Sequence, residues 1–265
     1  MLVHVRVEDG SFGYSYPLKC WEHPAVIGTH EVLLRQAVEA FLPGIAWPLD
    51  GDSLVGNLKT LNLIEFTYQK IARPVTGSSW TSHESYAGHR HLGFNVADGR
   101  AHFRSEVNQL FASHGLAFTL DEDGKVTRIL APGLSETLSS AIFATGDAEL
   151  DSLLETARTK FLSPDPAVRQ EALEKLWDAF ERTKTLDPGD KKQSVESLLK
   201  KASPEPKLHE RLNAELNELT SIGNNFMIRH TETNKVPIKE PRQVDYLFHR
   251  LFAAIQLLLR SSGRM

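Results

Sequence analysis

The segment from Pro206 to His230, PKLHERLNAELNELTSIGNNFMIRH, predicts one long amphipathic helix. Its apolar residues recur at intervals of three and four, which places them on one face of a helix with 3.6 residues per turn. That face consists of Leu208, Leu212, Leu216, Leu219, Gly223 and Phe226. Because the same periodicity continues to His230, the sequence predicts an apolar seam that ends at a histidine.

Helical periodicity also extends to both sides of this segment. Asp165 followed by Pro166 is typical of a helix start, with Leu173, Leu176 and Trp177 on one face of the helix that follows. Another helix is predicted over 191–201, and a last one starts at Pro241 with a second apolar stripe. That stripe consists of Val244, Phe248, Leu251, Ile255, Leu258 and Leu259, whereas Tyr246, His249 and Arg250 point the other way. Residues 147–265 are therefore predicted to form an all-α helical bundle.

Residues 1–140 have a different pattern, in which short apolar runs alternate with Asp-Gly turn signals such as Asp98-Gly99. The alternation in MLVHVRV, residues 1–7, predicts a strand. Helices are expected over 30–41, 58–72 and from a cap at Asp98 to Gly115, and a hairpin from 116–120 and 125–130. The expected fold class is α+β, with a small mixed N-terminal domain before the bundle and a boundary between Pro132 and Asp147.

The composition of the chain argues against several classes of function. With 30 basic and 34 acidic residues, the net charge of −4 argues against a surface devoted entirely to nucleic acid, although a local basic patch remains open. Since no apolar run reaches the roughly 18 residues that a membrane helix needs, no membrane partner is expected. The first ten residues lack the features of a secretory signal, and the single cysteine, Cys20, fits a reducing compartment. We therefore expect a cytoplasmic protein.

No motif for a metal or an organic cofactor is present in the sequence. The histidines His83, His89, His91 and His102 have neither a helical His pair with glutamate nor a cysteine pair beside them. We expect them to form local hydrogen bonds. Since phosphate-loop, dinucleotide-binding and nucleophile-elbow signatures are also absent, no cofactor and no metal site are predicted.

The segment from Gly223 to Thr233 carries the candidate chemistry. Two amides, a cation and an imidazole occur there as Asn224, Asn225, Arg229 and His230. Such groups can bind a phosphate and move a proton near neutral pH, which is what RNA cleavage without a metal requires. A structural interpretation stays open, in which His230 is a core residue, Asn225 and Arg229 interact one turn apart, and Gly223 permits close helix contact.

The stretches IGNNFMIRHTETNKVPI and VDYLFHRLFAAIQLLL resemble the C-terminal helical module of bacterial abortive-infection proteins of the AbiJ type, which belong to the HEPN superfamily. The stretches LIEFTYQKIARPV, HRHLGF and FRSEVNQLFASHGLAFTLDEDGKVTRI are similar to the small domain that precedes such modules. The resemblance implies an HEPN-like helical bundle. HEPN domains commonly act as metal-independent ribonucleases, often as dimers whose two sites meet at the interface.

The family motif is an arginine, a polar residue, a few further residues and a histidine. His230 matches the histidine and Asn225 the polar residue, whereas Asn224 stands where the arginine belongs. This departure leaves Arg229 as the substitute cation, and Arg229 would point about 100 degrees away from His230 in a continuous helix. The resemblance therefore leaves open whether the motif is active.

The residues and the resemblance lead to two main hypotheses of function and to a third, structural one. In the first, the chain is an RNA-targeting protein of bacterial defence or stress response and a metal-independent endoribonuclease. His230 is then the general acid or base, Arg229 the phosphate ligand, and Asn224 and Asn225 orienting donors. In the second, the HEPN fold is a non-catalytic module that binds RNA, a nucleotide or a partner protein such as an antitoxin. In the third, Tyr246, His249 and Arg250 form the interface of a structural homodimer.

Overall fold

The structure is a computed structural model that describes residues 31–47, 49, 57–76, 92–130, 138, 141–228 and 235–265. The chain divides into two compact units, the first ending at Thr127 and the second spanning Arg128–Met265. The strand predicted over residues 1–7 and the thiol of Cys20 lie outside the described residues.

The first unit combines helices and short strands. Its helices are α1 (Glu31–Phe41), α2 (Asn57–Lys70) and α3 (Val96–Ser113). Strands β1 (Arg73–Thr76) and β2 (Leu92–Asn95) pair antiparallel, with Arg73 opposite Asn95. Strands β3 (Phe118–Leu120) and β4 (Val126–Arg128) form a second two-stranded sheet, which confirms the predicted hairpin with shorter strands.

The start of α3 differs from the prediction. The sequence predicts Asp98 as the cap, but the side chain of Asn95 accepts a hydrogen bond from the amide of Asp98 at 3.0 Å, so the helix starts three residues earlier. The predicted Asp98-Gly99 turn is also wrong. Gly99 is buried inside α3, where a Cβ atom would lie only 2.6 Å from the Cα of Ala72. Glycine at 99 therefore serves close packing, while Gly115, at a φ of 65°, follows the helix end as predicted.

The second unit contains five helices in its described residues. They are α4 (Ala148–Phe161), α5 (Pro166–Thr183), α6 (Lys191–Ala202), α7 (Pro206–Asn225) and α8 (Pro241–Ser261). Asp165 caps α5 with Pro166 in its first turn, as predicted, and its side chain accepts from the amide of Ala167 at 2.8 Å. Asp147 caps α4 through the amide of Leu150.

The two predicted apolar stripes both contribute to the core of the second unit. The stripe of α8 is buried in full, and so are Leu173, Leu176, Trp177 and Phe180 of α5. Leu216, Leu219 and Gly223 of α7 are buried as well. Leu208 is 52% exposed, so the buried part of the α7 seam begins further along the helix than its sequence indicates.

The prediction that the long helix continues to His230 is wrong. Helix α7 ends at Asn225, and Phe226 has φ −103° and ψ 157°, an extended backbone conformation. Phe226 then forms an isolated parallel bridge with Val236. Backbone hydrogen bonds to Val236 take the place of those that a further helical turn would form, so the helix ends here.

Taken over the described residues, the chain is mostly helical, with eight helices and two small antiparallel sheets. None of these helices has the length and apolar character that crossing a membrane requires.

Candidate functional site

The two asparagines of the candidate motif lie at the exposed carboxyl end of α7. The side-chain amide of Asn225 donates to the carbonyl oxygen of Ser221 at 2.8 Å and approaches the Ser221 hydroxyl at 3.2 Å. The carbonyl of Asn224 accepts a hydrogen bond from the ammonium group of Lys235. The asparagines thus help to close the helix end, and their side chains remain at the surface.

The segment after α7 leaves the helix end and returns to it. The amide of Met227 donates to the carbonyl of Val236 at 2.9 Å, and the amide of Val236 donates to the carbonyl of Asn225 at 3.3 Å. Ile228 is buried in the core of the second unit. The described ends of the 227–236 segment are therefore fixed beside Asn225. Arg229 and His230 lie between these ends, outside the described residues.

Gly223 permits close contact between α7 and α5. A Cβ atom at this position would lie 2.1 Å from Nε1 of Trp177, and the tryptophan is buried. A side chain at 223 would displace one helix from the other. The structural interpretation of Gly223 is thereby supported, and Gly223 needs no role in binding.

The starts of α5 and α8 lie at the same end of the second unit as this segment. Gln170, in the first turns of α5, donates from its amide to the carbonyl of Met227 at 3.2 Å. Its neighbour Arg169 lies with Nε 3.3 Å from a carboxylate oxygen of Asp245, which belongs to the first turns of α8. Contacts within the chain therefore bring the motif-bearing segment and both helix starts together.

Two arginines share the carboxylate of Asp245. Arg128 donates from both terminal nitrogens to its two oxygens, at 3.2 and 2.9 Å. Arg169 approaches one of these oxygens and also donates to the carbonyl of Pro164 at 3.0 Å. Its side chain is 9% exposed, and both burial and the charge of Arg128 lower its pKa. The arginine cluster, Arg128 with Arg169 and Asp245, carries two positive charges against one negative charge.

His249 lies one turn after Asp245 and is half-buried. Its ring meets the ring of Phe161 edge-on, with centroids 5.1 Å apart. Burial lowers its pKa, the charge of Arg128 lowers it further, and Asp245 opposes both. The imidazole is therefore mostly neutral at pH 7, in a state that can accept a proton.

The outward face predicted for α8 is only partly exposed. Tyr246 is 61% exposed, but His249 packs on Phe161, and Arg250 donates to both carboxylate oxygens of Glu215 at 2.7 and 2.9 Å. Two of the three side chains expected at a dimer interface are thus engaged within their own chain.

The arginine cluster was not predicted from the sequence. The spacing of Asp245 and His249, four residues apart on one helix, is a local signal that indicates a shared face. Arg128 is 117 residues from Asp245, and no periodicity brings the two together.

Among the described residues, no group of three or more His, Cys, Asp or Glu side chains is placed to hold a metal ion. His102 is exposed, with Nε2 3.3 Å from a carboxylate oxygen of Glu106, in line with the local bonding expected for it. His83, His89 and His91 lie outside the described residues.

Comparison of the chain with protein families, with curated proteins and with solved structures found no match. The interpretation of the site therefore depends on its chemistry. Guanidinium groups can bind phosphate oxygens and a neutral imidazole can accept a proton, and both kinds of group occur at this end of the second unit.

Proposed function

We propose that the chain is an HEPN-type protein of the AbiJ kind that acts on RNA in the bacterial cytoplasm, in defence or stress response. One observation carries the proposal. The described ends of the segment that holds Arg229 and His230 are fixed at the same end of the second unit as the arginine cluster and His249. Two arginines and a half-buried histidine thus lie at the end of the second unit where the described ends of this segment are fixed.

The proposed reaction is transesterification without a metal. The 2′-hydroxyl of the RNA attacks the adjacent phosphorus while an imidazole takes its proton, and the bond from phosphorus to the 5′-oxygen breaks. The leaving 5′-oxygen receives a proton, and the product end carries a 2′,3′-cyclic phosphate. In this scheme His230 moves the proton, Arg229 stabilises the charge on phosphorus, and Asn224 and Asn225 orient the phosphate.

A second candidate function is a non-catalytic module with the same fold, which binds RNA, a nucleotide or a partner protein such as an antitoxin. Two observations favour it. Asn224 stands where the family motif has arginine, and the amide of Asn225 already donates to Ser221. In this alternative the arginine cluster supplies binding charge and no bond is broken.

The deciding experiment is cleavage of labelled RNA, in the presence of EDTA, by the full chain and by His230→Ala. Loss of a proton-transfer group lowers a cleavage rate by about 100-fold or more, so His230→Ala should lose nearly all activity. His102→Ala is the matched control, because His102 is an exposed histidine of the first unit and should leave the rate unchanged.

The outcomes separate the two functions. Cleavage that depends on His230 but not on His102 supports the ribonuclease. If the wild-type chain cleaves no faster than His230→Ala, the enzyme proposal fails, and RNA binding at low and high salt then tests the module. Light scattering over a range of concentrations tests the proposed homodimer, and a monomer throughout would contradict a site composed of two subunits.

A further inference from the structure

A cleft of about 700 Å³ lies between α6 and the second half of α7, within the second unit. Its lining includes Lys191, Lys192 and Gln193 from the start of α6, and Asn213, Leu216, Asn217 and Thr220 from α7. The volume falls within the range of about 300–1,000 Å³ that is typical of small-molecule sites. Neither Asn224 nor Asn225 lines this cleft.

The α7 wall of the cleft presents polar groups in one row. Asn213 and Asn217 are one helical turn apart, and the amide of Asn217 donates to the side-chain oxygen of Asn213 at a long 3.4 Å. The hydroxyl of Thr220 follows on the same face, but it already donates to the carbonyl of Leu216 at 2.8 Å and accepts from Lys184. Each asparagine amide has several donors and acceptors, and this one weak bond uses few of them. The row can therefore bind a hydroxyl-rich or amide-rich molecule.

A buried lysine forms one end of the cleft. The side chain of Lys184 is only 5% exposed, and its ammonium group donates to Thr220 at 3.0 Å and to Glu181 at 2.6 Å. Lys191 donates to the other carboxylate oxygen of Glu181. Burial raises the pKa of Glu181, but the hydrogen bonds from the two lysines outweigh this and lower it, so the carboxylate is ionised at neutral pH.

The charges around the cleft leave a positive excess. Glu196, the acidic residue of the lining, lies 3.3 Å from His209 and 3.5 Å from Lys200. Lys192 forms no ion pair with any residue in the described part of the chain. The lining thus holds three lysines and one glutamate. Lys184 and Lys191 are paired with Glu181, so Lys192 is available to an anion from solution.

We propose that this cleft binds a small phosphate monoester. Lys192, with Lys191 beside it, binds the phosphate. Asn213 and Asn217 hydrogen-bond the uncharged part of the molecule, which packs on Leu216. Ammonium groups suit a phosphate as compact charges with several donors, and the amides suit hydroxyl or base edges. The proposal does not depend on the action on RNA.

The test is calorimetric titration of the full chain, at low salt, with ribose 5-phosphate, with AMP and with uncharged adenosine. We expect at least one ester to bind with a Kd below about 1 mM and adenosine to bind more weakly than AMP. Lys192→Ala should raise the Kd of that ester about tenfold, the effect of losing one charged hydrogen bond. Binding of ribose 5-phosphate indicates a sugar phosphate, and binding of AMP alone indicates a nucleoside monophosphate.

Lys207→Ala is the matched control, because it removes the same charge from an exposed position on α7 that does not line the cleft. Asn217→Ala tests the amide row and should also weaken binding. The proposal is overturned if neither ester binds at about 5 mM, if adenosine binds as tightly as AMP, or if Lys207→Ala weakens binding as much as Lys192→Ala. Each of these results is independent of RNA cleavage, so the two proposals can fail separately.

Discussion

The two units bury their apolar side chains in different ways. In the second unit the described helices share one apolar core, which extends from Leu150 on α4 to Leu259 on α8. In the first unit the described residues form two smaller groups. One is centred on Leu120 and Phe111 between α3 and the hairpin, and the other on Val38 and Phe66 between α1 and α2.

The polar interactions of the second unit include a more deeply buried charge than those of the first. In the second unit the carboxylate of Asp187 is buried and accepts from Lys201 and Ser197 at 2.6 Å and from Arg264 at 2.8 Å. The ion pairs between described residues of the first unit, such as Arg35 with Glu39, are mostly exposed. Because exposed pairs contribute little to stability, the second unit is expected to be the more stable scaffold. It is also the unit that holds both proposed sites.

Among the substitutions considered, Phe248→Ala should lower the free energy of unfolding the most. Phe248 is fully buried and stacks on Phe161 with ring centroids 3.7 Å apart. Its truncation should lower the free energy of unfolding of the second unit by about 4 kcal/mol, through lost burial and the cavity that remains. Urea unfolding followed by tryptophan fluorescence, to which buried Trp177 of this unit contributes, measures this. Tyr246→Ala, at an exposed position of the same helix, should change stability by less than about 0.5 kcal/mol. Similar losses in both variants would contradict the single-core description.

Asp187→Asn should destabilise the second unit by about 3 kcal/mol at pH 7, because it leaves Lys201 and Arg264 beside a neutral group. Burial raises the pKa of Asp187, but the hydrogen bonds from Lys201, Ser197 and Arg264 outweigh this and lower it to about 2. The folded-state pKa is thus below the ordinary value of 3.8, so its stabilisation is present above about pH 4 and is lost as the pH falls towards 2.

The difference between wild type and Asp187→Asn should therefore shrink by about 2 kcal/mol between pH 7 and pH 2, which urea unfolding at a series of pH values measures. Asp190→Asn is a useful control, since asparagine can still accept the hydrogen bond that caps α6. A difference that stays constant with pH would show that the charge of Asp187 contributes nothing.

Asn95→Ala should lower stability the least, and its effect should be confined to the first unit. It removes the side-chain oxygen that accepts from the amide of Asp98 at the start of α3, which costs about 1 kcal/mol. Asn62→Ala, at an exposed position within α2, is the control and should be neutral or slightly stabilising. Amide hydrogen exchange in α3 would detect the change, and equal exchange in both variants would refute the assigned cap.

Much of the local structure could be predicted from the sequence. The helix starts at Pro166, Pro206 and Pro241 and the hairpin after Gly115 occur where turn and capping signals place them. The apolar face of α8 is buried as its periodicity indicates. These features depend on neighbouring residues, whose types and spacing are visible in the sequence.

The candidate site was less predictable. The periodicity of α7 continues past Asn225 in the sequence, yet the chain leaves the helix because the amide of Met227 pairs with the carbonyl of Val236. Local propensity does not reveal such a competing partner. The positions of Asn224 and Asn225 at the helix end follow from that pairing, while Arg229 and His230 stay a prediction.

The amino-acid sequence alone indicates most of the helical segments, their apolar faces and the residue types that are available for chemistry. Only the folded chain shows where α7 ends, why position 223 is a glycine, and which distant charges meet. The contact of Arg128 with Asp245 and the cleft beside Lys192 each join segments far apart in the chain. Their formation depends on how the apolar faces pack together, and packing of that kind leaves no periodic signal in any one segment.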